Sequence, residues 1–269
     1  MEDQRDSSLR AGKDAAMMTI SVVIPCYNDA AFLQACLTAL ARQQRVPDEV
    51  IVVDNASTDA SAEVALSGGA RVVRATQRGI WPAAAAGYDA ASGDVIARLD
   101  ADSVPPADWL ARIESALAES PGSDMVTGPG DFYGCSPLVA WLGGTFYIGG
   151  YFFWMPFWLG HRPVFGSNFA MHRAVWLEAR LRVHRDRDDI HDDLDLSMNL
   201  SPAVRVRYDP TLRVAISGRP FDSWSAIARR ARWGGRTLLQ GWPENNPWRR
   251  HAARYAVRRR RAGRPTIGR

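Results

Sequence analysis

Lysine is nearly missing from this chain: Lys13 is the only one among 269 residues, so almost all fixed positive charge is guanidinium. Cysteine is scarce as well. Cys26, Cys36 and Cys135 are odd in number and show no C-x-x-C spacing, which excludes a disulfide framework or a zinc site and fits a reducing, cytosolic setting. No apolar h-region opens the chain, so residues 1–18 read as a polar, disordered tail and not as a signal peptide. Neither G-x-G-x-x-G nor G-x-x-x-x-G-K-[ST] occurs, which removes the main support for dinucleotide and P-loop readings. No internal repeat is visible.

What is present suffices for a large core, since 46% of the residues are hydrophobic. Net charge is only +4, yet Arg229 to Arg269 holds thirteen arginines against one acid, Glu244. The positive charge therefore belongs to the C-terminal end. Composition alone allows residues 249–269 to grip the phosphates of nucleic acid or of an anionic leaflet.

From Thr19 to Leu99, short β-branched runs (Ile20 to Ile24, Val50 to Val53, Arg71 to Arg74, Val95 to Leu99) alternate with helical stretches. That alternation predicts an α/β fold with a mostly parallel central sheet flanked by helices. Further on, Trp109 to Leu117 predicts a helix, and Met125 to Thr127, Val164 to Met171, Val204 to Tyr208 and Leu212 to Ile216 predict strands. Helices are expected from Asp192 to Asn199 and, amphipathic, from Trp224 to Leu239.

Between these parts, Pro137 to Gly160 runs for twenty-four residues without a charge, nine of them aromatic. The length meets the requirement of about 18 to 20 apolar residues for a membrane span. Four glycines and Pro156 interrupt it, and a single span would put parts of one domain on opposite sides of the membrane. A broken helical element lying in the membrane interface fits better, with Trp and Tyr at headgroup level.

Open α/β sheets bind ligands beyond the carboxyl ends of their strands. Three loops lie there. Asp100-Ala101-Asp102 is a D-x-D that can hold magnesium or manganese against a diphosphate. Asp54-Asn55-Ala56-Ser57-Thr58-Asp59 places Asp54 at a strand end, able to accept from a base or ribose, and offers Ser57 or Thr58 as a helix cap. In Pro25-Cys26-Tyr27-Asn28-Asp29, Pro25 shapes the turn and Tyr27 offers a flat face to a base. Arg78, before Gly79, is the best-placed cation for a diphosphate.

The other half of the constellation is His191-Asp192-Asp193-Leu194-Asp195 at a helix start. One of its carboxylates can take the proton of an incoming hydroxyl. Arg229 and Arg232, three apart beside Trp233, can clamp phosphate or acceptor from one helix face.

These stretches, with Ser21 to Asn28 and Gly166-Ser167-Asn168-Phe169-Ala170-Met171, resemble in order the family 2 glycosyltransferases, inverting enzymes of the GT-A fold. The resemblance spans residues 19 to 235. It implies that Asp54 reads the base with Pro25, Tyr27 and Arg78 nearby, that Asp100 contacts ribose and diphosphate, and that Asp102 ligates the metal, Mn2+ or Mg2+. Asp193 matches the catalytic base. Asp192, standing where the family has Glu, supports it. Arg229 to Trp233 is similar to the Gln/Arg-x-x-Arg-Trp motif of processive synthases and ceramide glucosyltransferases, with Arg at position 229.

The expected organisation is a tail (1–18), a GT-A catalytic domain (19–220) carrying the aromatic insertion (137–160), an amphipathic Arg-rich helix (221–248) and a basic tail (249–269). The expected activity moves one sugar from a UDP- or GDP-sugar to a hydroxyl or phosphate of a lipid or lipid-linked acceptor. Its expected place is the cytoplasmic face of the cell membrane, peripheral or monotopic on an anionic surface, with no nucleic acid as partner. A sugar nucleotidyltransferase would need a glycine-rich activating loop that is absent here. A non-catalytic membrane or nucleic-acid binder on a degenerate fold would not need the carboxylates that are all present.

Overall fold

β1 (Ile20–Cys26) sends alternate side chains to opposite faces, so Ile20, Val22 and Ile24 join one buried cluster and Val23 joins the other. In the computed structural model, which describes residues 18–118, 124–240, 242 and 246–262, β1 is flanked in parallel by β2 (Glu49–Asp54) and β4 (Val95–Arg98). β3 (Arg71–Arg74) adds parallel to β2. On the other side, β7 (Phe169–His172) is antiparallel to both β4 and β5 (Asp124–Thr127), and β8 (Arg205–Tyr208) is parallel to β5. The order of this seven-stranded sheet is β3-β2-β1-β4-β7-β5-β8. β6 (Gly130–Tyr133) and β9 (Val214–Ser217) form a separate parallel pair.

Helices cover both faces, as expected. α1 (Ala30–Leu40) buries Leu33, Cys36, Leu37 and Leu40, the stripe that helical spacing requires. α2 is Ser61–Ser67 and α3 is Ile80–Ala90. Within α3, a Cβ on Gly87 would fall 2.4 Å from Val23 Cγ1, so the missing side chain lets the helix lie close against β1. α4 (Trp109–Ala118) completes the flanking layer on the opposite face.

Two local expectations differ from what forms. Ser57 and Thr58 do not cap α2: its first turn is held by Asp59, whose Oδ1 accepts from Ser61 N and Oγ, while Ser57 Oγ accepts from Asn28 N. Within Val164 to Met171, only Phe169 onward is strand. Residues 164–168 form a turn, because Asn168 is drawn inward by Trp109 Nε1 and by the carbonyls of Pro129 and Leu212.

The aromatic segment is continuous helix: α5 (Pro137–Leu142), a π turn over Gly143–Gly149, and α6 (Gly150–Leu159). Its glycines widen the helix and do not end it, a form common at functional sites. The whole is long and apolar enough to cross a membrane by length and composition, and only 17% of its most apolar window is buried in the protein. α7 (Arg173–Ala179) and α8 (Asp192–Asn199) follow, then α9 (Trp224–Leu239) and α10 (Pro247–Ala262). Residues 249–262, grouped above with a basic tail, are thus helical, and α10 packs on α6. The tail over 1–17 and the end over 263–269 lie outside the described residues.

Candidate active site

A polar cleft of about 490 Å³ opens at the carboxyl ends of β1, β2 and β4, where the loop rule places it. Pro25, Tyr27, Arg78, Asp100, Asp102 and Arg229 line it together, as the motifs predict. The Arg78 guanidinium stands over the Tyr27 ring at 4.0 Å, a cation held on an aromatic face. Asn55, not singled out in the sequence, ties this wall together by donating to Gln77 O at 2.7 Å and accepting from Gly79 N at 2.8 Å. Asp54 is buried beside it and is not part of the lining; its Oδ1 accepts from Ser57 N at 2.9 Å.

Beneath the cleft lies an arginine that sequence reading missed. Arg98, fully buried on β4, donates to Asp100 Oδ1 at 2.8 Å, to Asp192 Oδ2 at 2.7 Å and to Tyr88 Oη at 2.8 Å. One guanidinium thereby joins the D-x-D loop to the start of α8. Its signal was a charge inside an otherwise apolar strand. Burial pushes the Asp100 carboxyl up, but Arg98, the Ser167 hydroxyl and Arg230 hold it below the usual carboxylate range. Asp192, nearly buried against Arg98, faces this link and not open space.

The tripeptide Gly166-Ser167-Asn168 positions both halves of the site. Ser167 Oγ donates to Asp100 Oδ2 at 2.6 Å, and Gly166 N donates to Asp193 Oδ2 at 2.9 Å. A Cβ on Gly166 would stand 3.3 Å from that same Oδ2, so glycine allows the approach. Asp193 also accepts from Leu194 N at 2.7 Å. Burial, and then the charge of Asp192, raise the Asp193 carboxyl to about 6. Asp195 is fully engaged elsewhere, by Trp81 Nε1 at 2.8 Å and His184.

Asp102 lines this polar cleft, and Asp193 lines an adjoining apolar cavity. Burial and the neighbouring Asp100 raise its carboxyl, and a hydrogen bond from Arg219 offsets part of that. Arg219, also missed in the sequence, donates to Asp29 Oδ1 at 2.6 Å and to Asp102 Oδ2 at 2.9 Å, a cation set between two carboxylates. The donor set is hard oxygen, which suits magnesium or manganese. No group of three or more His, Cys, Asp or Glu gathers as a metal cage among the described residues. That pattern fits a cation held by one or two carboxylates with the rest of its shell from diphosphate and water.

A second cavity of about 400 Å³ adjoins the polar cleft, and Arg230 lines both. Phe146, Tyr147, Tyr151 and Trp154 form one wall; Ile227, Arg230, Ala231, Gly234 and Leu238 form the other. The second wall follows the 3–4 spacing of one face of α9, with Arg230 in phase. Arg232 is on the exposed side and lines neither cavity, so the expected pairing of Arg229 with Arg232 gives way to Arg229 with Arg230. Trp233 stacks edge-on to His191 at 6.0 Å, and His191 Nε2 meets Arg230 O at 2.9 Å, which fixes the proton on that nitrogen. His191 and Asp193 both reach the cavity lining.

Residues 21–180 match the family described as Glycosyl transferase family 2. Glycosyltransferase AglE of Haloferax volcanii is 35% identical over 121 residues, 42% of this chain and 40% of that protein. A PGL/p-HBAD biosynthesis glycosyltransferase of Mycobacterium bovis is 38% identical over 115 residues, 40% of this chain and 45% of its own length. Each match spans less than half of the relative. In three dimensions the chain superposes on mannosyltransferase PcManGT from Pyrobaculum calidifontis, solved with GDP-Man and Mn2+, with a TM-score of 0.65 at 20% identity, covering 97% of this chain and 82% of that one. Glucosyl-3-phosphoglycerate synthase from Mycobacterium tuberculosis, solved with Mn2+, UDP-Glc and phosphoglyceric acid, gives 0.54 at 22% identity, covering 87% and 82%. The sheet arrangement is that of the GT-A glycosyltransferases. With the family match over more than half of its length, this chain belongs to glycosyl transferase family 2.

Proposed function

We propose that the chain transfers one sugar, with inversion, from a UDP- or GDP-sugar to the hydroxyl of a lipid or lipid-linked acceptor at the cytoplasmic membrane face. The observation that carries this reading is the position of Asp193: its carboxylate reaches an apolar cavity that shares the Arg230 wall with a polar, arginine-lined cleft. Donor and acceptor of opposite polarity are thereby given adjoining sites. The solved relatives' GDP-Man, UDP-Glc and Mn2+ support the donor half.

In the polar cleft, Tyr27 and Asn55 would face the nucleotide, and Arg78, Arg229 and Arg230 would take the diphosphate charge. Asp102, with Asp100 beside it, would hold a divalent cation, which when bound supplies Lewis-acid stabilisation of the departing diphosphate. Asp193 would accept the acceptor's proton as its oxygen attacks the anomeric carbon from the opposite face. Gly166 and Leu194 fix that carboxylate's orientation, and Arg98 keeps Asp192 paired behind it. Diphosphate release from a nucleotide-sugar panel with manganese, with and without glycolipid acceptors, tests the reading. No release with any donor sinks it.

The raised Asp193 carboxyl sets a pH dependence. Below about 6 the group is protonated and cannot accept a proton, so kcat should fall as pH drops through that value and stay level above it. A profile flat from pH 5 to 8 removes Asp193 as base.

Exposure supports membrane docking. Phe146, Phe153, Trp154 and Phe157 on the aromatic helix are each about 60% exposed or more, a patch that water disfavours. Phe146 and Trp154 also line the acceptor cavity, so its mouth lies at this patch. Replacing Phe153 and Phe157 by Ser should lower partitioning onto liposomes in flotation by about a hundredfold or more, at about 1.5 kcal/mol or more per lost aromatic anchor. Unchanged flotation would count against docking through this face.

A further inference from the structure

Eighteen residues line the apolar cavity, and among these described residues only Asp193 and Arg230 carry a fixed charge. Arg230 also lines the polar cleft, where it helps to hold the Asp100 carboxyl below its usual range, so its charge serves the donor side. The cavity's own charge is the Asp193 carboxylate. Neutral groups orient it: Gly166 N donates to Oδ2 at 2.9 Å and Leu194 N to Oδ1 at 2.7 Å.

Hydrogen-bonding capacity in the cavity is equally narrow. Tyr151 Oη donates to Val164 O at 2.8 Å, and His191 Nε2 donates to Arg230 O at 2.9 Å, so both groups are spent on the backbone. Two polar atoms remain beside Asp193. One is the His191 Nδ1 lone pair. The other is the Tyr147 hydroxyl, carried by the π turn, close enough to Arg230 and Asp193 to feel both charges, with its ring edge-on to Phe221 at 5.9 Å. A single alcohol group is satisfied there: it donates to the Asp193 carboxylate and accepts from the phenol. Aromatic and aliphatic side chains make up almost all of the rest of the lining.

Two acceptor classes are thereby disfavoured. A lipid phosphate would bring its negative charge against Asp193 in an apolar space without a cation of its own, and its anionic oxygen would offer no proton for a base to take. A lipid-linked saccharide would bring several hydroxyls to walls that pair with one, and each hydroxyl left without a partner weakens binding by roughly tenfold. We infer that the acceptor is an uncharged lipid alcohol whose reacting hydroxyl is the only polar group of its buried end, so that the chain places the first sugar on a lipid. This rests on reading the apolar cavity as the acceptor site. Phe146 and Trp154 stand where the lining meets the exposed aromatic patch, so the lipid body can stay in the bilayer while the hydroxyl reaches Asp193. In the transfer, the alcohol oxygen bonds to the anomeric carbon as that carbon's bond to the diphosphate breaks. The bonding pair leaves with the diphosphate, and the hydroxyl proton passes to Asp193. The sugar of the product finds no polar wall in the cavity, so transfer stops at one residue.

Three ligands that share one chain and differ in the head test this: 1-decanol, decyl phosphate and decyl glucoside, each below its micelle concentration. They are titrated by equilibrium dialysis against the full chain, with UDP and Mn2+ in excess, at about pH 8, above the value of about 6 to which Asp193 is raised. Decanol should bind saturably, and the other two at least about a hundredfold more weakly. Gly234 lines the cavity, and a Cβ there would meet His191 Cδ2 at 3.7 Å and nothing nearer, so Gly234→Leu fills the space and should abolish decanol binding. Gly235→Leu makes the same change at an exposed position of α9 outside the lining and should retain it. If Gly234→Leu folds poorly, Ala231→Leu on the same wall takes its place. Asp193→Asn removes the opposing charge and should narrow the gap between decanol and decyl phosphate by about tenfold or more while the glucoside stays weak.

Decyl phosphate or decyl glucoside bound as tightly as decanol overturns the inference, as does equal loss of decanol binding in Gly234→Leu and Gly235→Leu. A phosphate gap that Asp193→Asn leaves unchanged overturns the exclusion of lipid phosphates. No saturable binding of any of the three removes the cavity as an acceptor site, and the inference with it. Failure of the reaction itself looks different, because it is scored by diphosphate release. Release stimulated by a lipid phosphate or a glycolipid, and not by an alcohol, sinks the uncharged acceptor and leaves glycosyl transfer standing.

Discussion

Asp193→Asn should leave donor binding intact and lower kcat by about 10²–10⁴-fold, the range that removal of a general base commands. The amide keeps the shape of the carboxylate and can still accept from Gly166 N, so the loop geometry survives. It cannot take a proton. The KM for the nucleotide sugar and the manganese requirement should change little, because Asp193 lines the apolar cavity and not the polar cleft. Misfolding is distinguishable by sign. The carboxyl is raised from 3.8 to about 6 in the folded chain, so folding disfavours its ionised form, and wild-type stability declines as pH rises through that window. The neutral amide escapes the penalty. The variant should therefore melt no lower than wild type at pH 7, and a variant that turns over within tenfold of wild type rules out the assigned base.

Asp102→Ala should act on the other side of the reaction. If Asp102 is the main protein ligand for the cation, the variant loses charge stabilisation worth several kcal/mol, about a hundredfold or more in kcat/KM. Binding reports it without turnover. Wild type with UDP and Mn2+ at about 100 times the dissociation constant should gain about 2.7 kcal/mol of stability. The variant should gain far less, and its response should no longer depend on manganese. The two substitutions are thus expected to separate: Asp193→Asn keeps the nucleotide-dependent stabilisation and Asp102→Ala loses it. Manganese-dependent stabilisation preserved in Asp102→Ala would move the cation elsewhere.

Much of this was legible because it is written in local pattern. The β-branched runs of β1 to β4 carry period-2 alternation between two helix layers, and the loops after three of them lie next to one another in any right-handed parallel sheet. Pro25, Tyr27, Arg78, Asp100 and Asp102 could therefore be brought together without coordinates. What stayed hidden depends on distant partners. Arg219 meets Asp29 and Asp102 across 190 and 117 residues of chain, which no spacing encodes. Arg98 looks like an anomaly in a strand until Asp192 is placed beneath it, 94 residues on.

Among the arginines of α9, Arg229 lines the cleft and stands over Trp233 at 5.8 Å as expected, whereas Arg232 lines neither cavity, for a different reason. Arg229, Arg230 and Arg232 are close enough that the inward face depends on the exact rotation of the helix, and that rotation is set by Thr237 and His191 bonding near its end. Residues 164–168 misled through composition. Their apolar character reads as strand, yet their polar atoms are aimed at Trp109, Asp100 and Asp193, and such side-chain demands outweigh a weak β preference.

Arg219 gives the cleft a resident positive charge between Asp29 and Asp102, so a divalent cation bound at Asp102 would have to exchange with it. That guanidinium belongs to a short 3-10 turn, Arg219–Phe221, and the rest of the turn, Pro220 and Phe221, lines the apolar cavity. Phe221 packs edge-on against Phe132 at 5.0 Å and Tyr147 at 5.9 Å. A change of cation in the polar cleft would therefore act on a turn that also lines the apolar cavity. If the proposed reading holds, the expected kinetic expression of that link is an ordered entry, nucleotide and metal before acceptor, which product-inhibition patterns would report.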